Sequence, residues 1–420
     1  MTEQRTDPWV SIGGRSVARR DFLRLLGIGS GAALLSACGV KGAAKPAASG
    51  SALATEIQDY WKGKKKTGLV NWAQWPLYID VNSQNKNDHP SVDAFTKATG
   101  IKVNYYEVIQ DDPSFLAKIL PVLQAGQYTG YDVATITNGT SLDRLMQLGY
   151  LIPLDHSYLQ NFAKYVDPKY RKTSYDPGNV YTVPWQSGFT GIAYDTTKVP
   201  KPITSFFDLW DERLKGKVGM FADNEDLPNA VLVAMFGDPQ KTGPNEWRQA
   251  AAKLKEQRDK GIVRQYYEQD YIKALSNGDI WASQAWSGDV FQALASGASN
   301  LKFVIPKEGG VIWTDNLVLL KYAQHPVDAL MLMDWYYQPK IAAMVAEYVN
   351  YITPVPAARD VILADAKQAT GDDQKSLLDV ANSPLVFPTE QDYQKVYNYR
   401  TLTEDELTVW NSIFEPIYQG

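Results

Sequence analysis

The stretch from Asn277 to Leu320 reads NGDIWASQAWSGDVFQALASGASNLKFVIPKEGGVIWTDNLVLL. It holds two aromatic–carboxylate pairs, Trp286 with Asp289 and Trp313 with Asp315. Ile280, Ala282, Gln284 and Trp286 alternate as a strand, Ser287-Gly288 turns the chain, and a helical pattern runs from Val290. Trp313-Thr314-Asp315 follows the Gly309-Gly310 turn and leads into another apolar strand. Both pairs therefore fall at strand-to-loop transitions. A carboxylate beside an indole suits an organic cation with an apolar stem. The carboxylate meets the charge, while the indole face covers the stem and adds cation–π attraction. The same residues also have structural uses, a Trp in a core and an Asp after Gly as a helix cap.

Upstream, strand and helix patterns alternate. Gly68–Trp72 reads as a buried strand ending in the aromatic loop from Asn71 to Tyr78. Val92–Ala98 has helical spacing and stops at Gly100, and Ile101, Val103 and Tyr105 alternate as a strand. Pro113–Ala125 reads as a helix, Asp132–Ile136 as a strand and Ser141–Leu148 as a helix. Such spacing predicts an α/β fold with mainly parallel sheet flanked by helices. The run from Tyr181 to Tyr194 is extended but broken by Gly188 and Gly191, as expected of a strand crossing between two lobes. Val218–Phe221 reads as a strand running into the acidic loop Asp223–Asp226. Trp247–Asp259 reads as a solvent-facing helix, and Pro326–Tyr337 with Pro339–Tyr348 as a helical hairpin.

The chain has 420 residues, 45% hydrophobic and 21% charged, with 12 Trp and 25 Tyr. These values belong to a globular chain of two or three domains or two large lobes. A net charge of −5 without a basic stripe in the body argues against nucleic acid. Three scattered His and one Cys give no metal spacing, so no metal and no cofactor is expected. No Gly-x-Ser-x-Gly elbow occurs, and Lys64-Lys65-Lys66 is not part of a phosphate loop.

The single Cys bears on location. Arg15, Arg19, Arg20 and Arg24 precede an apolar run, Leu25–Ala37, too short to span a bilayer. Leu35-Ser36-Ala37-Cys38 resembles a bacterial lipobox, which implies lipidation of Cys38, and Arg19-Arg20-Asp21-Phe22-Leu23 resembles a twin-arginine export signal. Residues 1–38 are thus expected to be an export signal and 39–65 a flexible Gly/Ala/Ser/Lys tether. The mature protein would sit outside the cytoplasmic membrane, held by a lipid, in the periplasm or on the cell surface.

From about Leu69 onward the chain resembles the substrate-binding proteins of bacterial ABC importers, of the spermidine/putrescine type. The resemblance rests on Asn71-Trp72 with Trp75, Gly100-Ile101-Lys102-Val103, Tyr131-Asp132-Val133 and Tyr181-Thr182-Val183-Pro184. It continues through Asp208-Leu209-Trp210, Lys215-Gly216-Lys217, Asn277-Gly278-Asp279, Trp286-Ser287-Gly288-Asp289, Ile305 to Gly310 and Trp313-Thr314-Asp315. It implies two α/β lobes of the periplasmic-binding-protein kind, joined by crossing hinge strands, with a ligand between them. The lobes would be 66–187 with 313–361, and 188–312 with 362–420.

The resemblance also implies site residues. Trp72 and Trp75 match an aromatic lid, and Trp286 and Trp313 aromatic walls. Asp289 matches a carboxylate of putrescine-type members, and Asp315 one common to both types. Tyr351 matches an aromatic near the ligand. Gln74 stands where putrescine-type members have Asp, Thr137 starts a loop that often carries Ser, and the family's Glu position falls near Leu227, with Asp226 of the Asp223–Asp226 loop beside it. The implied function is capture of a polyamine by a monomeric, non-enzymatic protein that passes it to ABC permease subunits with a cytoplasmic ATPase. The alternatives are another small amine, an opine or a zwitterion on the same scaffold, an extracellular hydrolase, and a surface adhesion protein.

Overall fold

The computed structural model describes residues 11–12, 15–16 and 50–419, apart from positions 83 and 86. Ser11–Ile12 and Arg15–Ser16 pair antiparallel as a two-residue ladder. The arginine pair at 19–20, the lipobox and Cys38 lie outside the described residues.

In chain order the elements begin with α1 (Gly50–Trp61), β1 (Leu69–Gln74), α2 (Pro90–Thr99), β2 (Lys102–Glu107), α3 (Asp112–Gln124), β3 (Val133–Thr137), α4 (Thr140–Gln147), α5 (Gln160–Tyr165) and β4 (Thr182–Asp195). Next come β5 (Val218–Phe221), α6 (Asp226–Phe236), α7 (Pro244–Asp259), β6 (Val263–Tyr267), α8 (Tyr271–Asn277), β7 (Ala282–Trp286), α9 (Ser287–Ala295), β8 (Leu301–Val304) and β9 (Gly310–Leu319). The last are α10 (Pro326–Trp335), α11 (Pro339–Val349), α12 (Ala358–Ala366), α13 (Gly371–Asn382), β10 (Val396–Tyr397) and α14 (Glu404–Tyr418).

The strands form one sheet in the order β2-β1-β3-β9-β4-β7-β5-β6, with β8 beside β4 and β10 beside β9. The outer trios β2-β1-β3 and β7-β5-β6 are parallel, as strand–helix alternation requires. The two strands between them, β9 and β4, run antiparallel to each other and to their outer neighbours. β4 is buried along all 14 residues. It starts in one hydrophobic core with Val183 and Trp185 and ends in another with Ile192, Ala193 and Tyr194. β9 makes the return trip, from Val311 and Trp313 to Leu317 and Leu319. A third strip crosses beside them where Ser187 and Ile352 exchange backbone hydrogen bonds of 2.8 and 2.9 Å. These cores are the interiors of the two lobes.

Close approach explains the irregularities of β4. Pro184 pairs with Asn316 and Gln186 with Asp315, so Trp185 is an extra residue in a bulge, where a proline's missing N–H is tolerated. A Cβ on Gly188 would lie 2.3 Å from Cζ2 of Trp313, and one on Gly191 2.5 Å from the carbonyl of Val304. Only glycine lets the indole and the next strand come so near.

The structure corrects four expectations. Part of the expected tether, 50–61, is the helix α1. Ile57, Tyr60 and Trp61 share one side of it, and Trp61 is buried in the first core with Nε1 donating to the carbonyl of Pro153 (2.9 Å). Alanine, read as linker composition, is also the best helix former. The third passage between cores comes after Phe387 rather than at 362. Ile362, Val380, Ala381 and Val386 still pack in the first core, while Tyr399, Leu402, Trp410 and Phe414 lie in the second. α7 is not simply solvent-facing, because Trp247, Ala250 and Leu254 are fully buried on one side. The fourth correction concerns Trp72 and belongs to the site.

Candidate functional site

The middle of the sheet presents rows of side chains on one face. Thr137 pairs with Asp315 across β3 and β9, and Asp315 with Gln186 across β9 and β4. One row on, Trp313 stands opposite Gly188. In the next, Thr190 stands opposite Val311 on one side and Trp286 on the other. Paired positions share a face. Four residues of β4 separate the first row from the last, about 13 Å along the strands.

Asp315 anchors the first row. Its Oδ1 accepts from the hydroxyl of Thr137 (2.6 Å) and its Oδ2 from the phenol of Tyr78. Burial raises its pKa to about 6. The backbone N–H of Thr137 donates to Asp112 Oδ2 (3.0 Å) at the start of α3. Burial, then the charge of Asp315, push Asp112 up to about 8.

Tyr351, from the third crossing strip, fills the middle. Its ring meets Trp313 edge-on at 5.1 Å and Tyr78 at 6.0 Å. A Cβ on Gly288 would lie 2.3 Å from the Tyr351 ring, so the turn into α9 needs glycine for this contact. The phenols of Tyr351 and Tyr271 donate to Asp289 at 2.8 and 2.9 Å. Burial raises the pKa of Asp289. The Tyr351 phenol itself is raised well above the usual range, first by burial and then by Asp289, with Asp315 and Asp226 contributing. Three carboxylates thus surround one tyrosine.

Asp226 closes the far row. It accepts from Trp286 Nε1 (2.7 Å) and from the hydroxyl of Thr190, and burial raises its pKa. Trp286 stacks on Phe221 with ring centres 4.5 Å apart. Behind Asp226, the Asp223 carboxylate accepts from the backbone N–H groups of Glu225, the N-cap residue of α6, and of Asp226 and Leu227 in its first turn, so Asp223 satisfies the start of that helix from outside it. Burial and the charge of Asp226 push it up to about 7.

The two lobes meet beside the row. Glu225, from the second, accepts from the backbone N–H (2.8 Å) and hydroxyl (2.6 Å) of Thr140 in the first, and burial raises its pKa to about 8. Nearby, Leu402 N–H donates to Asp143 (3.1 Å), whose pKa burial raises to about 7. Asp112, Asp143, Asp223, Glu225, Asp226, Asp289 and Asp315 therefore line one seam. Among the described residues, no basic side chain forms an ion pair with any of them. Nor, among the described residues, are three such groups arranged to hold a metal ion.

Of the expected residues, the structure brings together Thr137, Asp226, Trp286, Asp289, Trp313, Asp315 and Tyr351. Trp72 is elsewhere: it is 0% exposed, donates to Thr135 Oγ1 (3.0 Å) and meets Tyr105, Trp185 and Tyr336 edge-on or tilted inside the first core. β1 has sheet on both sides and helices over both faces, so a Trp in its middle is a core residue. Trp75 is half-buried and tied by Nε1 to the carbonyl of Thr135 (3.1 Å). Gln74 is fully buried; its Oε1 accepts from Trp75 N–H, and its Nε2 has no partner among the described residues. Sequence reasoning missed Tyr78, Asp112, Gln186, Thr190 and Tyr271, whereas Glu225 belongs to the acidic loop Asp223–Asp226 that it singles out. Tyr78 belongs to the aromatic loop already noted, and Asp112 follows Asp111, the actual cap of α3 (2.7 Å to Ser114 N–H).

A surface groove of about 500 Å3 lies apart from these residues, between Lys164, Lys169, Pro356 and Glu390. Lys169 already pairs with Asp167 and Glu390 there, so the groove offers no free negative charge.

A family profile for bacterial extracellular solute-binding proteins matches residues 91–372, about two thirds of the chain. The chain is 28% identical over 329 residues to the spermidine/putrescine-binding periplasmic protein of Escherichia coli K12, covering 78% of this chain and 86% of that one. It is 28% identical over 340 residues to the putrescine-binding periplasmic protein of the same organism, covering 77% and 86%. The crystal structure of a spermidine/putrescine ABC transporter substrate-binding protein from Streptococcus pneumoniae superposes with a TM-score of 0.67 at 21% identity, covering 84% of this chain and 99% of that one.

Proposed function

The chain belongs to the bacterial extracellular solute-binding proteins, and from that premise we propose that it captures a linear polyamine between its lobes. The observation that carries this reading is the line of carboxylates from Asp112 through Asp315, Asp289 and Asp226 to Glu225, without a basic partner among the described residues. Burying so much negative charge is costly unless cations meet it. A chain of ammonium groups joined by methylenes supplies those cations at intervals. Trp286, Trp313 and Tyr351 offer the apolar and cation–π surface for the methylenes between them. The relatives named for spermidine and putrescine support the same ligand class.

In this reading Asp315, Asp289 and Asp226 take ammonium groups, and the lobes close around a hinge at the crossing strands, with Glu225 and Thr140 part of the closed contact. The protein carries out no reaction. It hands its ligand to an ABC permease, and Cys38 anchors it by a lipid outside the cytoplasmic membrane after twin-arginine export.

A small zwitterion is the second reading, favoured by the buried donors Gln74 Nε2 and Trp313 Nε1, which have no partner among the described residues and suit a ligand carboxylate. The excess of acids over such donors weighs for the polyamine. A thermal-shift comparison of putrescine, cadaverine, spermidine and spermine with zwitterionic amino acids tests the choice. A polyamine at about 100 times its Kd stabilises the fold by roughly 2.7 kcal/mol. A shift with the zwitterions and none with the amines would reverse the assignment.

A further inference from the structure

The Asp315 end of the row has more acceptors than its own donors fill. Thr137 ties two carboxylates together, with its backbone N–H on Asp112 Oδ2 and its hydroxyl on Asp315 Oδ1. The remaining oxygen of Asp112 is buried and without a hydrogen-bond partner among the described residues. Gln186, opposite Asp315 across β9 and β4, is 3% exposed, and its Oε1 is likewise unpartnered. A buried acceptor left without a donor costs about 1–3 kcal/mol, and such atoms are uncommon in folded proteins. Two of them beside one carboxylate mark a place built for donors that come from outside the chain.

We propose that Asp112, Gln186 and Asp315 form a seat for one primary ammonium group, with Asp112 and Gln186 as specificity-determining residues for that end of the ligand. The proposal rests on the polyamine reading of the same site. A primary ammonium has three N–H donors and no acceptor. The seat offers one acceptor from each of three side chains, and two of them bring negative charge. A secondary ammonium has one donor fewer, so it leaves one of these buried acceptors unmade. This end therefore selects a chain terminus over an internal nitrogen.

The doubled carboxylate has a further consequence. The charges acting on Asp112 are Asp315 on β9 and Asp111 just before α3, while the phenols of Tyr78 and Tyr351 face Asp315. With its pKa raised to about 8, Asp112 holds a proton in the free protein near neutral pH. An ammonium arriving between the two acids favours both carboxylates, so it displaces that proton. Ligand binding at this seat releases a proton near pH 7.

Calorimetry on the full chain and on its Asp112→Asn and Gln186→Met variants tests the seat. Putrescine, spermidine and spermine are titrated at pH 7 in two buffers of different ionisation enthalpy. Each variant is expected to bind the best amine about tenfold more weakly or worse, the cost of a hydrogen bond to a charged group. Asp112→Asn also lowers the proton release, leaving only what the other raised acids of the row contribute, whereas Gln186→Met keeps it at the wild-type value, a difference that loss of structure does not produce. If Asp112→Asn fails to fold, Gln186→Met decides. Wild-type binding with either folded variant within twofold overturns the seat and leaves the polyamine reading standing. No binding of any amine by the wild type overturns both.

Discussion

Two groups of buried aspartates are held differently. In the scaffold, Asp176 accepts from the backbone N–H groups of Val180, Tyr181 and Thr182 and from the Thr182 hydroxyl. Asp132 accepts from Asn71, Gln324 and His325 backbone N–H groups, and Asp328 from those of Thr67 and Gly68. In the cleft, Asp315 and Asp289 are each held by two hydroxyls, and Asp112 by a single N–H, with one oxygen unpartnered among the described residues. Backbone donors are fixed by the fold and ask for nothing more. Hydroxyls rotate, and a carboxylate with lone pairs to spare can accept from a ligand as well. On the proposed reading, the class of donor around Asp315, Asp289 and Asp112, rather than burial, sets them apart from the scaffold acids.

The contrast breaks most visibly at Asp315. Asp315→Asn is expected to cost roughly 2–5 kcal/mol of polyamine binding, because it leaves an ammonium unpaired, while the melting temperature holds. Titration calorimetry beside a thermal melt separates the two effects. Asp176→Asn should do the opposite. It weakens hydrogen bonds to a charged acceptor, lowers unfolding free energy by about 1.5–3 kcal/mol in a urea titration, and leaves affinity alone. Tyr351→Phe keeps the ring against Trp313 but removes a donor from Asp289, and about a tenfold loss of affinity is expected by calorimetry.

The acids of the cleft also give the contrast a pH signature. Asp315 and Asp112 have folded-state pKa values raised to about 6 and about 8, above those of the unfolded chain. The folded, ligand-free protein therefore binds more protons than the unfolded chain between about pH 4 and 8, and its stability falls as pH rises through that window. A bound polyamine draws the same groups back to carboxylates, so affinity rises from pH 6 to 8. Melting curves with and without amine should diverge over this range; parallel curves would mean that these acids do not meet the ligand. The smallest effect is expected for Trp72→Phe. A core change of this size costs about 1–3 kcal/mol of stability and moves the Kd by less than about twofold.

Much of the fold could be read from periodicity. The outer strands of the first half, β1, β2 and β3, and their helices follow from the alternation between Leu69 and Leu148, and Gly188 and Gly191 mark β4 as a strand under close approach; β6 (Val263–Tyr267) in the second half is not legible as a strand. The family resemblance supplied the two-lobed arrangement. What periodicity does not carry is which core a segment joins. α12 and α13 return to the first core beyond residue 362 because Ile362, Val380 and Ala381 pack there, and nothing local to those helices says so. The site shows the same limit. Trp72 and Trp286 both end or interrupt strand-like runs near polar residues, yet one is walled in by Tyr105, Trp185 and Tyr336, and the other reaches Asp226. Asp111 and Asp112 are neighbours, and one caps a helix while the other faces Thr137. Only the register of distant strands decides such cases.

If the acids of the cleft await cations, calorimetric titration of the purified protein with spermidine and putrescine at moderate salt will show it. One-to-one binding of at least one of these amines by the wild type is expected, weakened at least about thirtyfold in Asp315→Asn and unchanged in Asp176→Asn. Equal affinity in wild type and Asp315→Asn, or no binding of either amine, would contradict it.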